Sequence, residues 1–271
     1  MARSRGKDDY LAEIERERDR RNASLRSEDG WLTLVGLAWL QPGENTFGSA
    51  HDNAIELPDP GAEAHAGTFV LIGDRVLLRR DGFDLPMVDD QTEGGPTVVQ
   101  VGRLSLTVIR RGGGTRFAIR MKDPSAPGRR TFGGVETFPA DRRWRLRGRF
   151  ERYEPPRRVL VPTILDYDEP DDIAGALVFE ASGATHRLDA SQAEDGSLFI
   201  AFADATNGRE TYAAGRYLEV DPPDPDGLVL IDFNVAYNPP CVFTAHATCP
   251  LPLPQNRLRF RIEAGERLEV H

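Results

Sequence analysis

SLFIAFADATNGRETYAAGRYLEV, residues 197–220, reads as two extended runs around the pair Asn207-Gly208. Asn-Gly is the strongest short hairpin signal, because both central residues of the tight turn need positive φ. Working outward, the same device recurs. ALVFEA and THRLDA flank Ser182-Gly183, TFVLI and RVLLR flank Gly73-Asp74, and TVVQV and LSLTVIRR flank Gly102-Arg103. Three glycines, Gly112 to Gly114, lead into TRFAIRMK. RWRLRGRF alternates, which puts Trp144, Leu146, Gly148 and Phe150 on one face. Strands at this regular spacing predict sandwiches or barrels, not α/β layers. WLTLVGLAWL, residues 31–40, reads as a buried strand or tight apolar segment. Before it, Tyr10, Leu11 and Ile14 give a short apolar stripe in a densely charged helix that leans on the core. Met121–Gly134 has prolines, glycines and no apolar period, and reads as a linker.

The expected organisation is mainly β: a helical arm over 1–30, a β-sandwich over 31–120, and a second antiparallel β sandwich or barrel over 135–271. The 271 residues suffice to bury a core without staples. A formal charge of −9, with acidic residues spread along the chain, argues against a nucleic-acid partner. Among 34 basic residues only Lys7 and Lys122 are lysine. No run of 18 apolar residues is present, so no membrane partner is expected. The charged N-terminus lacks the apolar centre of a secretory signal. Two cysteines make no disulfide scaffold, and a reducing, cytoplasmic location is the expectation.

Two resemblances bear on the reading. In Leu40–Arg80, Gly43, Phe47-Gly48, Asn53, Ile55 and His65 fall in an order similar to the opening of forkhead-associated domains. That family is a β-sandwich that binds phosphothreonine peptides. Here Ser49 stands at the phosphate-binding arginine and Ala62 at the serine before the histidine. A dianionic phosphate needs charge-assisted donors, so no phosphothreonine affinity is expected, and His65 becomes a residue that ties a loop. Further along, ETYAAGRYLEV, LIDFNVAYNPPC and TCPLPLPQNRLRFRIEAGER resemble the signature of a bacterial and archaeal family catalogued as domain of unknown function number 1684. WLTLVGLAWLQPGENTFGS resembles it too. The resemblance covers nearly the whole chain and implies no activity; His246 lies outside its pattern.

The candidate site is the signature stretch Asp232–Arg261. Its prolines exclude central strand positions, so DFNVA should end a strand and a stiff loop should follow. On one reading Asn234, Asn238 and Asn256 hold that loop by bonding backbone. On a second, the loop presents a ligand pocket: Asp232, Asn234, Tyr237 and Asn238, faced by Arg216 and Tyr217, with Arg257 as a fork for an anion. On a third, Cys241, His246 and Cys249 supply zinc ligand types, with water or a distant residue such as His186 as the fourth. Against the third stand a Cys241–Cys249 disulfide, unusual in a reducing cytoplasm, and two buried thiols packed as small hydrophobes. The acidic run Asp166–Asp172 reads as a solvated loop. There is no G-x-S-x-G elbow and no P-loop lysine, and no cofactor is expected. The leading expectation is a non-catalytic protein that binds a small molecule or a protein partner at the signature loop. The alternative is an enzyme, hydrolase-like or metal-dependent, using the same loop.

Overall fold

Two-residue turns join four pairs of successive strands among the described residues. The computed structural model describes residues 2–268. In chain order come α1 (Ala2–Arg26), β1 (Leu34–Trp39), β2 (Gly43–Gly48), β3 (Ile55–Glu56), β4 (Gly67–Ile72), β5 (Arg75–Arg80), β6 (Phe83–Met87), β7 (Val98–Val101), β8 (Leu104–Arg111) and β9 (Arg116–Lys122). A short helix α2 (Pro127–Thr131) follows. Then come β10 (Arg145–Pro162), β11 (Asp168–Ala181), β12 (Ala184–Gln192), β13 (Leu198–Phe202), β14 (Arg216–Val220) and β15 (Leu228–Asp232). The protein is mainly β, with one long N-terminal helix and several antiparallel sheets. None of the described helices is long and apolar enough to cross a membrane.

The described residues form two compact units. One comprises Leu25–Phe132 with Phe243–Ala247. Its sheets run β1-β9-β8-β7 and β3-β2-β4-β5-β6. All pairs are antiparallel except β2 with β3. The sheets share one core, to which Phe47, Phe69, Val76 and Leu78 come from one sheet and Leu104, Leu106, Val108 and Ile119 from the other. Phe47 stacks on Phe69 at 4.6 Å. The pairs Ile72 with Arg75 and Val101 with Leu104 make Gly73-Asp74 and Gly102-Arg103 the two-residue turns that the sequence suggested.

Met121–Gly134 departs from the linker expectation. Met121 is buried in β9. The Asp123 carboxylate, also buried, accepts from the Ser125 amide at 2.7 Å and from Arg103 Nε at 2.7 Å. Short side-chain bonds order this segment without apolar periodicity, and the division between the units falls at its end, after Phe132.

The other unit holds residues up to Ser24, Gly133–Val242 and those from Thr248 on. One curled sheet, in order β14-β13-β12-β11-β10-β15, supplies its core. Leu177, Phe179, Leu188, Ile200, Phe202, Leu218, Ile231 and Phe233 pack there. Ala181 pairs with Ala184 across Ser182-Gly183, again a two-residue turn. The acidic run is part of this sheet from Asp168 onward, and Asp172 pairs with Arg158 at 2.8 Å, so only its start is a loop.

Asn207-Gly208 corrects the opening expectation. β13 ends at Phe202 and β14 begins at Arg216, so a long loop replaces the tight hairpin. Asn207 lacks the positive φ that such a turn demands. Its side chain is engaged instead: Oδ1 accepts from the Asp204 amide, and Nδ2 donates to the Tyr212 carbonyl at 2.6 Å. Asp204 Oδ1 in turn accepts from the Thr206 amide and hydroxyl at 2.8 and 2.7 Å. Local side-chain bonds have outcompeted the ladder. Gly215 closes the loop at φ 106, where a Cβ would lie 2.6 Å from the Phe202 carbonyl oxygen.

Candidate functional site

The signature polar residues are held by partners inside the protein. Asp232 ends β15 and accepts the Asn234 amide at 3.0 Å. The buried Tyr10 hydroxyl of α1 donates to Asp232 at 2.9 Å and accepts from Asn234 Nδ2 at 2.8 Å. Asn234 also brackets Asp141, accepting its amide and donating to its carbonyl, each at 2.9 Å. Burial, with Asp232 beside it, holds the Tyr10 phenol well above its ordinary pKa.

Tyr217 and Tyr237 exchange two backbone bonds at 2.8 and 2.9 Å. The Tyr237 hydroxyl donates to Glu219 at 2.6 Å, and Arg21 lies over its ring at 4.8 Å. The Tyr217 hydroxyl donates to the Pro250 carbonyl at 2.8 Å. Burial raises the pKa of both phenols. The Asn238 amide donates to Glu266 at 2.6 Å, its carbonyl accepts from Arg21 at 2.9 Å, and Nδ2 donates to the Arg267 carbonyl at 3.1 Å. Asn238 Oδ1 is buried without a partner among the described residues. Asn256 inserts between β12 and β13, bonding both Asp189 backbone groups at 2.7 and 2.8 Å and the Ala201 carbonyl at 3.0 Å.

Arg216 is fully buried. It pairs with Asp204, also buried, at 2.6 Å, and donates to the carbonyls of Ile262 (3.0 Å) and Ala264. Burial pulls its pKa below the ordinary arginine value, and Asp204 opposes that shift. Arg257 is exposed and makes one long contact, 3.5 Å, to the Pro252 carbonyl. Of the seven residues read from the sequence, Arg216, Tyr217, Asp232, Asn234, Tyr237 and Asn238 are held by hydrogen bonds within the protein, and Arg257 is exposed.

The thiols differ from each other. Cys249 is buried, whereas Cys241 is partly exposed, which departs from the expectation of two buried thiols. The Cys241 amide donates to Cys249 Sγ at 3.2 Å. Among the described residues, no three His, Cys, Asp or Glu side chains are gathered to hold a metal ion. His246 belongs to 243–247, in the other unit, and Cys241 and Cys249 do not. In that unit the His65 ring bonds Asn53 Oδ1 at 3.3 Å, while Asn53 Nδ2 donates to Ala50 and Ala64 carbonyls. Ser49 Oγ donates to the Ala62 carbonyl at 2.8 Å.

A cleft opens elsewhere on the curled-sheet unit. Its volume is about 490 Å³, and Arg143, Trp144, Leu146, Ala181, Ser182, Arg261 and Glu263 line it. Trp144, Leu146 and Ala181 pack against the edge of the hydrophobic core. Trp144 lies parallel to Phe260 at 6.5 Å and edge-on to Phe233. Its indole nitrogen is buried with no hydrogen-bond partner among the described residues. Glu263 joins the two cations, 3.0 Å from Arg261 and 3.4 Å from Arg143. Glu210 and then Glu263 hold the Arg261 guanidinium above its ordinary pKa. The alternation in RWRLRGRF puts Trp144 and Leu146 on one face but gives no sign of this cleft. Its lining comes from three distant segments with no shared period.

No curated protein matches the chain. A solved structure, the solution NMR structure of an uncharacterized protein of Haloarcula marismortui, is 31% identical to it. The match covers 54% of this chain and 83% of that one, with a TM-score of 0.45. The family described as "Protein of unknown function (DUF1684)" matches residues 130–267. That span is just over half of the 271 residues and contains the curled sheet, the cleft and the whole signature stretch, and the chain belongs to this family.

Proposed function

We propose that the protein is a non-catalytic binding protein for a small molecule, and that the cleft beside Trp144 and Arg261 is its site. One observation carries this reading: a concavity of about 490 Å³ that joins an apolar wall to opposed charges. Its size is that of a small-ligand site, and such sites combine apolar surface with a few placed polar groups. Trp144, Leu146 and Ala181 offer a surface for an apolar or aromatic body. Arg143 and Arg261 bring guanidinium N–H groups to the lining, and Asp141, Glu210 and Glu263 already pair with them, so the cleft offers polar anchors without a net positive charge. A reducing, cytoplasmic setting goes with the two free thiols. In the other unit, Ser49, Asn53 and His65 spend their side chains on one another and on backbone, which supports reading a forkhead-associated-like sandwich as scaffold.

Native mass spectrometry of the purified chain, before and after incubation with a small-metabolite extract, tests this. The expectation is one bound small molecule per chain, lost when Ala181→Trp fills the cleft. Arg261→Ala should weaken retention about tenfold or more, the range for losing one charge-assisted bond. Equal retention by Ala181→Trp would place the ligand elsewhere. Chemical turnover of the captured molecule would move the reading to an enzyme.

A further inference from the structure

Cys241 and Cys249 sit side by side among tyrosines, apart from the cleft residues. The Cys249 sulfur accepts from the Cys241 amide at 3.2 Å, which brings the two residues together. Cys241 is partly exposed, while Cys249 is 4% exposed. The groups facing the pair are Tyr212, beside Cys241, and Tyr217, beside Cys249. We propose that Cys241 and Cys249 form a reversible disulfide, with Cys241 as the thiol that meets a hydroperoxide and Cys249 as the thiol that resolves the product.

The two sulfurs are unequal in the sense this division needs. The neighbouring Cys249 thiol, and after it the Tyr212 hydroxyl, bring the Cys241 pKa down to about 7. The same contact, with burial, pushes Cys249 up. Burial, with Cys241 next to it, pushes Tyr212 up to about 12, so Tyr212 keeps its proton and stays a donor. A partly exposed thiolate beside a protonated second thiol is the arrangement of a redox-sensitive pair.

The Cys241 thiolate attacks the peroxide; an S–O bond forms and the O–O bond breaks. The alkoxide, or hydroxide from hydrogen peroxide, leaves and takes a proton from solvent. Cys249 then attacks the Cys241 sulfenic acid; the S–S bond forms, the S–O bond breaks, and hydroxide departs with the Cys249 proton as water. The pair has lost two electrons and the peroxide has gained them. Two molecules of a small thiol return two electrons and two protons and leave as their own disulfide.

The full chain is treated with one equivalent of hydrogen peroxide and followed by intact mass and thiol titration. Expected is the loss of both thiols and of two hydrogens in mass within one chain, reversed by dithiothreitol. Cys249→Ser should stop at a sulfenic acid that dimedone captures. Cys241→Ser should react at least about tenfold more slowly, since the remaining thiol is buried and protonated. The wild-type rate should rise with pH through about 7, as the Cys241 thiolate forms, and then level off. Survival of both thiols, faster oxidation of Cys241→Ser than of Cys249→Ser, or disulfides only between chains would each overturn the proposal. If a serine variant does not fold, peptide mapping of the oxidised wild type decides it alone.

Discussion

Arg216 carries a full charge into a core where its side chain has no exposed surface. Water would have solvated that charge, so its partners must replace water. Asp204 supplies the opposite charge, and the Ile262 and Ala264 carbonyls take further N–H groups. Removing one partner of a buried pair leaves the other uncompensated. Arg216→Met is therefore expected to lower stability by about 3–5 kcal/mol in urea unfolding. Arg216→Met with Asp204→Leu should recover much of that loss. Equal losses for the single and double changes would show that the pair is not coupled. From sequence, Arg216 and Tyr217 read as neighbours facing one site. Successive strand residues point to opposite sides, and here Arg216 meets Asp204 while Tyr217 meets the Pro250 carbonyl. Adjacency in a strand is separation in space, and a burial that requires a partner 12 positions upstream leaves no local signal.

At the scale of elements, the signature stretch is tied to α1. Tyr10 bonds Asp232 and Asn234, Arg18 bonds the Phe138 carbonyl at 2.7 Å, and Arg21 bonds Asn238 and Glu266. Asn22 Oδ1 accepts the Val135 amide at 3.0 Å. A helix with a thin apolar stripe gains little from burial alone, so these polar contacts fix where it lies. Tyr10→Phe should cost about 1–3 kcal/mol, the range for leaving buried groups unmade. Amide exchange in α1 should speed up more than exchange in β11 and β12. Uniform acceleration across both would show that α1 is not a separate latch. The two-residue hairpins were legible because glycine and its neighbour answer a purely local demand. Asn207-Gly208 was not, because the same asparagine can serve as a hydrogen-bond hub and sequence does not say which role wins. α1 itself was legible as a helix leaning on the core. Its attachment to residues more than 200 positions away was not.

For the whole molecule, the account separates two jobs that the sequence had assigned to one stretch. The asparagines, tyrosines and Arg216 of the signature region hold irregular backbone and α1 in place. The proposed binding site is the cleft, whose walls come from 143–146, 181–182 and 261–263 and so include Arg261 at the end of the signature stretch. The most direct measurement compares two single changes by thermal melting and by ligand retention in native mass spectrometry. Asn238→Ala removes the bond to the Arg267 carbonyl and should lower stability by about 1–2 kcal/mol while leaving the bound molecule in place. Ala181→Trp should release that molecule. If Asn238→Ala melts like the wild type yet loses the ligand, and Ala181→Trp keeps it, the signature loop is the binding site and the division of roles is wrong.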